Sequence, residues 1–125
     1  MRIELVNHLL ETKMAISYKG KMKTIDKLVI DTGAAHTIIS SDIVDELGIY
    51  FEKGDRLVSA FGIGGEDYSF RKAVDFVKLG NHENHGIHLD FGDLGEWDIN
   101  GLIGLDILLS GKFIIDLEKL KLIQR

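Results

Sequence analysis

The stretch Leu28-Val29-Ile30-Asp31-Thr32-Gly33-Ala34 sets the architecture of this 125-residue chain. Three consecutive apolar residues are apolar on both faces of a strand, as an interior strand requires. The run ends abruptly at a carboxylate placed where the pattern predicts burial, and burying a lone charge is costly. The next residues make sense of that position. Gly33 permits a turn that brings backbone N–H groups to the carboxylate, and Thr32 adds a short hydroxyl. Thr37, Ile38 and Ile39 then resume an apolar strand. An aspartate in a strand-ending turn is also an ordinary use of Asp and Gly, so the short motif needs support from elsewhere in the chain.

Outward from this stretch the pattern is mostly period-two and punctuated by glycine, which predicts short strands and hairpins. Ile3 and Leu5 mark a terminal strand. Met14, Ile16 and Tyr18 form one arm of a hairpin that turns at Lys19-Gly20-Lys21 and returns through Met22 and Thr24. Ser40-Ser41-Asp42 reads as a helix start, with Ile43, Val44 and Leu47 on the buried face and Gly48 ending it in a left-handed conformation. Leu57 to Phe61 and Tyr68 to Phe70 form a hairpin with a glycine-rich tip. Phe76, Val77 and Leu79 are expected to pair with Ile87, Leu89 and Phe91 across Gly80 to Gly86. Leu105 to Leu109 predicts a short helix stopped by Ser110-Gly111, and Phe113 to Leu117 and Leu120 to Ile123 predict closing strands. No internal repeat or linker divides residues 1–125, so one mainly-β domain with one or two short helices is expected.

Asp31-Thr32-Gly33-Ala34 resembles the active-site signature of aspartic peptidases, and two further elements come in the order of the retropepsin family. Phe61-Gly62-Ile63-Gly64-Gly65 resembles the glycine-rich flap. Asn100-Gly101-Leu102-Ile103-Gly104-Leu105-Asp106-Ile107-Leu108 resembles the apolar-apolar-Gly strand and helix that pack against the Asp-Thr-Gly loop. The resemblance covers roughly Met14 to Leu117. It implies an all-β, closed β-barrel-like acid protease fold with a flap hairpin. Many viral members carry an acidic residue after the motif alanine and an arginine after the second apolar-Gly element. Here those places hold Ala35 and Leu105, so both ionic partners are absent together, and the chain looks more like the cellular and bacterial relatives.

Peptide hydrolysis without a nucleophilic side chain is served by two adjacent carboxylates sharing a proton. The chain has one Asp-Thr-Gly. Asp106, the other aspartate in an apolar setting, is expected to cap or brace. The economical arrangement is a homodimer whose two-fold axis brings both Asp31 carboxylates into one site. The resemblance then implies Asp31 as the catalytic residue, with Thr32, Gly33 and Ala34 in support. Thr32 would interlock with its mate, and His36, Phe61, Gly62, Ile63, Gly64 and Gly65 would contact a peptide or protein substrate. The alternative is a catalytically silent retropepsin-fold module for peptide binding or dimerisation.

The remaining features narrow the classes. A net charge of −5 with scattered Lys and Arg gives no footprint for nucleic acid. Lys19, Lys21 and Lys23 are expected on a solvated hairpin. With no cysteine, disulfides and thiolate chemistry are excluded. No apolar segment has the form of a signal peptide or membrane span, so a soluble, cytoplasmic protein without membrane partners is expected. Gly62-Ile63-Gly64-Gly65 lacks the spacing and lysine of a phosphate loop. His82, His85 and His88 stand three apart beside Glu83. They are read as solvated loop histidines running into a strand, and neither a metal nor another cofactor is expected.

Overall fold

The computed structural model describes residues 1–62 and 65–124, with the backbone alone for 60–62 and 65–67. Twelve strands and one α-helix are present among them. Short β1 (Glu4–Val6) lies on β2 (Leu9–Tyr18), which turns through Lys19-Gly20 into β3 (Lys21–Ile30). Gly20 takes φ +82 there, a left-handed conformation that glycine adopts at little cost. Between Thr12 and Met14 the β2–β3 register shifts, and Lys27 sits at φ +53 on the bulged strand. The bulge resets the pleat just before Leu28-Val29-Ile30, so Leu28 and Ile30 enter the core while Val29 and Asp31 take the opposite face.

Next come β4 (Ile38–Ser40), then β5 (Arg56–Gly62) and β6 (Gly65–Ala73), which form a long antiparallel hairpin with Gly62 level with Gly65. They are followed by β7 (Phe76–Leu79), β8 (His82–His85), β9 (His88–Gly92), β10 (Gly101–Ile103), helix α1 (Leu105–Ser110), β11 (Phe113–Asp116) and β12 (Lys121–Gln124). The main sheet runs β5-β6-β9-β4-β10-β3-β2-β7-β8, with β1 on β2. β11 and β12 form a separate pair. The amino terminus joins it through Leu122 N–H to the Met1 carbonyl at 2.8 Å and Ile3 N–H to the Leu120 carbonyl at 2.9 Å.

The core lies on one face of the curled sheet, where Leu28, Ile39, Leu89, Phe91, Ile103 and Ile107 are fully buried. Phe70 and Phe91 stack there with ring centres 5.5 Å apart. Among the described residues no helix is long and apolar enough to cross a membrane. The fold is mainly β, as expected.

Four local expectations are corrected. The helix predicted from Ser40 is a turn followed by one 3₁₀ turn at Asp45–Leu47. The backbone N–H groups of Ser40 and Ser41 are already committed to the Asn100 and Gly92 carbonyls, so Ser40 ends a strand and starts no helix. Gly48 does close this segment at φ +84, and Val44 and Leu47 are buried as predicted. β7 does not pair with β9. It pairs with β2 and β8, while β9 lies between β6 and β4. The two-residue turn Gly80-Asn81 returns the chain at once, which places His82 and His85 in a strand and not in a loop. Lys23 is not simply solvated: it is half-buried, donates to the Ile43 carbonyl at 3.1 Å and pairs with Glu46.

Candidate active site

Asp31 comes directly after the last residue of β3, at the point where two other strands converge. β10 runs parallel to β3, with Leu102 level with Val29, and antiparallel to β4, with Leu102 level with Ile38. The chain from Asp31 to Thr37 therefore arches over the end of β10. Hydrogen bonds lace the arch to the end of β10 and the start of α1. Asp31 N–H donates to the Ile103 carbonyl at 2.9 Å, and Leu105 and Asp106 N–H donate to the Ala34 and Ala35 carbonyls at 2.8 and 3.2 Å. Those last two donors belong to the first turn of α1, which has no side-chain cap, so the arch satisfies N–H groups a helix leaves free.

Thr37 and Asp106 complete the lacing. The Asp106 carboxylate accepts from Thr37 N–H at 2.9 Å and from the Thr37 hydroxyl at 2.6 Å, while that hydroxyl accepts from Gly104 N–H at 3.0 Å. Thr37 is wholly buried. Asp106 thus braces the arch, and the sequence pointed to bracing without naming its partner. Gly104 is required by the closeness of the crossing, since a Cβ there would lie 2.7 Å from the Ala34 carbonyl oxygen and 2.9 Å from the His36 carbonyl carbon.

Within the arch the Asp31 carboxylate accepts from Gly33 N–H at 2.9 Å, and Ala34 N–H donates to the Asp31 carbonyl at 3.2 Å. Gly33 does not occupy the left-handed region. Its use is proximity, with a Cβ falling 3.2 Å from an Asp31 carboxylate oxygen. Asp31 is half-buried in the single chain, Ala34 likewise, and Thr32, Gly33 and His36 are exposed. Val29, Leu102 and Ile38 lie level on three adjacent strands and form an apolar strip on the face from which Asp31 projects. Beyond Ile38 the strip meets Asp90, which Arg71 grips through two nitrogens at 2.7 and 3.2 Å. The Arg71 guanidinium is held above its ordinary pKa by the hydrogen bond to Asp90, against the effect of burial, with the charges of Asp90 and Asp106 adding to it. Nothing in the sequence signalled this pair.

Of the residues the sequence singles out, Asp31, Thr32, Gly33, Ala34 and His36 lie together on the arch. Phe61, Gly62 and Gly65 are placed at the far end of the β5–β6 hairpin, and Ile63 and Gly64 lie outside the described residues.

Residues 14–107 match the model of the aspartyl protease family. The chain belongs to that family. Its retropepsin-like character is seen in a solved structure, a retropepsin-like aspartic protease from Rickettsia conorii. The two share 21% identity over 92% of this chain and 82% of the other, with a TM-score of 0.69. At that identity the likeness speaks to the retropepsin-like fold alone. No curated protein gives a significant match.

Proposed function

We propose that this chain is an aspartic endopeptidase that works as a homodimer, with the two Asp31 carboxylates of the pair forming one site. The observation that carries this reading is the half-exposed Asp31 carboxylate, held by Gly33 N–H beside the apolar strip of Val29, Leu102 and Ile38. Exposed Thr32 stands next to Asp31, where a second arch would cover it. That exposure favours a cleft completed by a second copy.

In the proposed mechanism the two carboxylates share one proton, because like charges in contact resist double ionisation. The ionised one takes a proton from water as its oxygen attacks the peptide carbonyl carbon. The protonated one donates to the carbonyl oxygen. The tetrahedral intermediate then loses its C–N bond as the amine nitrogen is protonated, giving a carboxylic acid and an amine. The β5–β6 hairpin acts as a flap, where Gly62, Gly64 and Gly65 let backbone approach an extended peptide and Phe61 and Ile63 shield it from water. Ala34 leaves room for the peptide backbone, and His36 borders a flanking pocket. The lack of cysteine suits work in a reducing cytoplasm.

The test is mass-spectrometric profiling of a peptide library across acidic to neutral pH with wild type and Asp31→Asn. Cleavage should fall by about a hundredfold to ten-thousandfold in the variant, the share that acid–base groups commonly supply. Equal cleavage by both proteins refutes the assignment of Asp31.

A further inference from the structure

Glu11 is only 7% exposed, yet it has no hydrogen-bond or ion-pair partner among the described residues. Its oxygens keep contact with solvent, because no fully buried side-chain oxygen among those residues lacks a partner. Sheet register fixes where it points. Glu11 is level with Val29, Val29 with Leu102, Leu102 with Ile38, Ile38 with Asp90, and Asp90 with Arg71. Residues level on neighbouring strands share a face. Glu11 therefore closes one end of the apolar strip beside Asp31, and the Asp90–Arg71 pair closes the other.

The ends differ in charge balance. Asp90 is neutralised by Arg71. Glu11 faces Glu4 directly across β1 and β2, a like-charge placement that is unfavourable unless a cation intervenes. Lys27, the cation on the bulge whose charge Glu11 influences, is engaged chiefly by Asp98 at 3.1 Å. With about 4.8 Å between strands and about 3.3 Å per residue along them, the Glu11 and Asp31 Cα atoms lie about 8 Å apart. An extended peptide covers that distance in about two residues.

We propose that Glu11 is a specificity-determining residue that accepts a Lys or Arg side chain about two residues from the cleaved bond. This rests on Asp31 being the catalytic carboxylate. A charge-assisted hydrogen bond formed in such a sheltered place is stronger than one in open water, so a basic side chain gains there what an apolar one does not.

The experiment takes a cleaved library peptide and compares versions carrying Lys, norleucine or Glu at each position near the cut, with wild type, Glu11→Gln and Glu11→Lys. In wild type one position should favour Lys over norleucine by roughly tenfold or more in kcat/KM. That ratio should collapse to near one in Glu11→Gln, and Glu11→Lys should favour the Glu peptide. A wild type indifferent to charge, or a Glu11→Gln variant that keeps the wild-type ratio, overturns the proposal while the peptidase reading stands. An equal loss on all peptides in Glu11→Gln, with a weakened dimer by sedimentation, assigns Glu11 to subunit contact and overturns it as well. Absence of any Asp31-dependent cleavage removes both readings together.

Discussion

Asp106 holds Thr37 by both of its hydrogen-bond donors, accepting from the backbone N–H at 2.9 Å and from the hydroxyl at 2.6 Å. One carboxylate thereby ties the start of α1 to the end of the arch that presents Asp31. Asp106→Ala leaves a buried donor and a buried hydroxyl without their acceptor, which should cost about 2–4 kcal/mol of stability. Asp106→Asn should cost less. Its carbonyl oxygen still accepts from Thr37 N–H, and its amide can donate to the Thr37 oxygen, which has a second lone pair. Urea denaturation of both variants checks the order, and equal losses would show that charge, not hydrogen bonding, carries the brace.

Gly104 and Gly101 are where the crossing is tightest. A Cβ at Gly101 would lie 2.5 Å from the Ile38 carbonyl oxygen, and one at Gly104 would lie 2.7 Å from that of Ala34. Both obstacles are backbone, so neither can rotate away. Gly104→Ala should cost about 2 kcal/mol or more and, by pushing the arch, should lower Asp31-dependent activity beyond the loss of folded protein. Gly20→Ala meets no atom within 4 Å and strains only a left-handed turn, so about 1 kcal/mol is expected. Thermal melts with parallel activity assays separate the cases.

The contrast between these glycines shows which parts of the structure the residues announce. The β2–β3 hairpin, interior strand Leu28–Ile30 and helix α1 rest on local periodicity and turn residues, and all three were legible. Strand β8 was not, because His-Glu-Asn-His offers no apolar alternation and its membership comes from pairing with β7. At the candidate site, Asp31, Gly33, Gly104 and Asp106 lie in two short motifs and could be read directly. Arg71–Asp90 and Glu11 could not, because each owes its place to register. Asp90 reaches the strip only through the parallel pairing of β4 with β9, and Glu11 only through the bulge that shifts β2 against β3.

Acid should weaken the fold through Asp75. Its carboxylate accepts from Gly20 N–H at 3.0 Å and from the Ser17 hydroxyl at 3.1 Å. The Gly20 hydrogen bond is the largest influence holding it below its ordinary value of 3.8, with slight burial opposing and Ser17 and Lys19 assisting. A depressed folded pKa means the unfolded chain binds the proton more readily. The stabilisation is therefore present above the ordinary value and is lost as pH falls through the folded one. Asp55 acts in the same direction, led by the Glu52 N–H. Asp75→Asn should lower the melting temperature at about pH 6, and the gap to wild type should narrow as pH falls below the ordinary value of 3.8. A gap that stays constant across that range would exclude Asp75 from the acid response.

The ion pair Arg71–Asp90 lies against the arch from the β6–β9 side. Asp90 N–H donates to the Thr37 carbonyl at 3.1 Å while its carboxylate takes both Arg71 nitrogens. The pair therefore steadies from outside the same arch residue that Asp106 grips from within. Both side chains are largely buried, at 17% and 9% exposure. Arg71→Met leaves the Asp90 charge sheltered and alone, with an expected cost of about 3 kcal/mol. Arg71→Lys should recover only part of this, since an ammonium cannot reproduce the two-pronged contact. The double variant Arg71→Met with Asp90→Leu should regain most of the loss, because apolar groups in both places leave no charge to desolvate. A double-mutant cycle by urea denaturation measures the coupling, and a value below about 0.5 kcal/mol would reduce the pair to an ordinary surface contact.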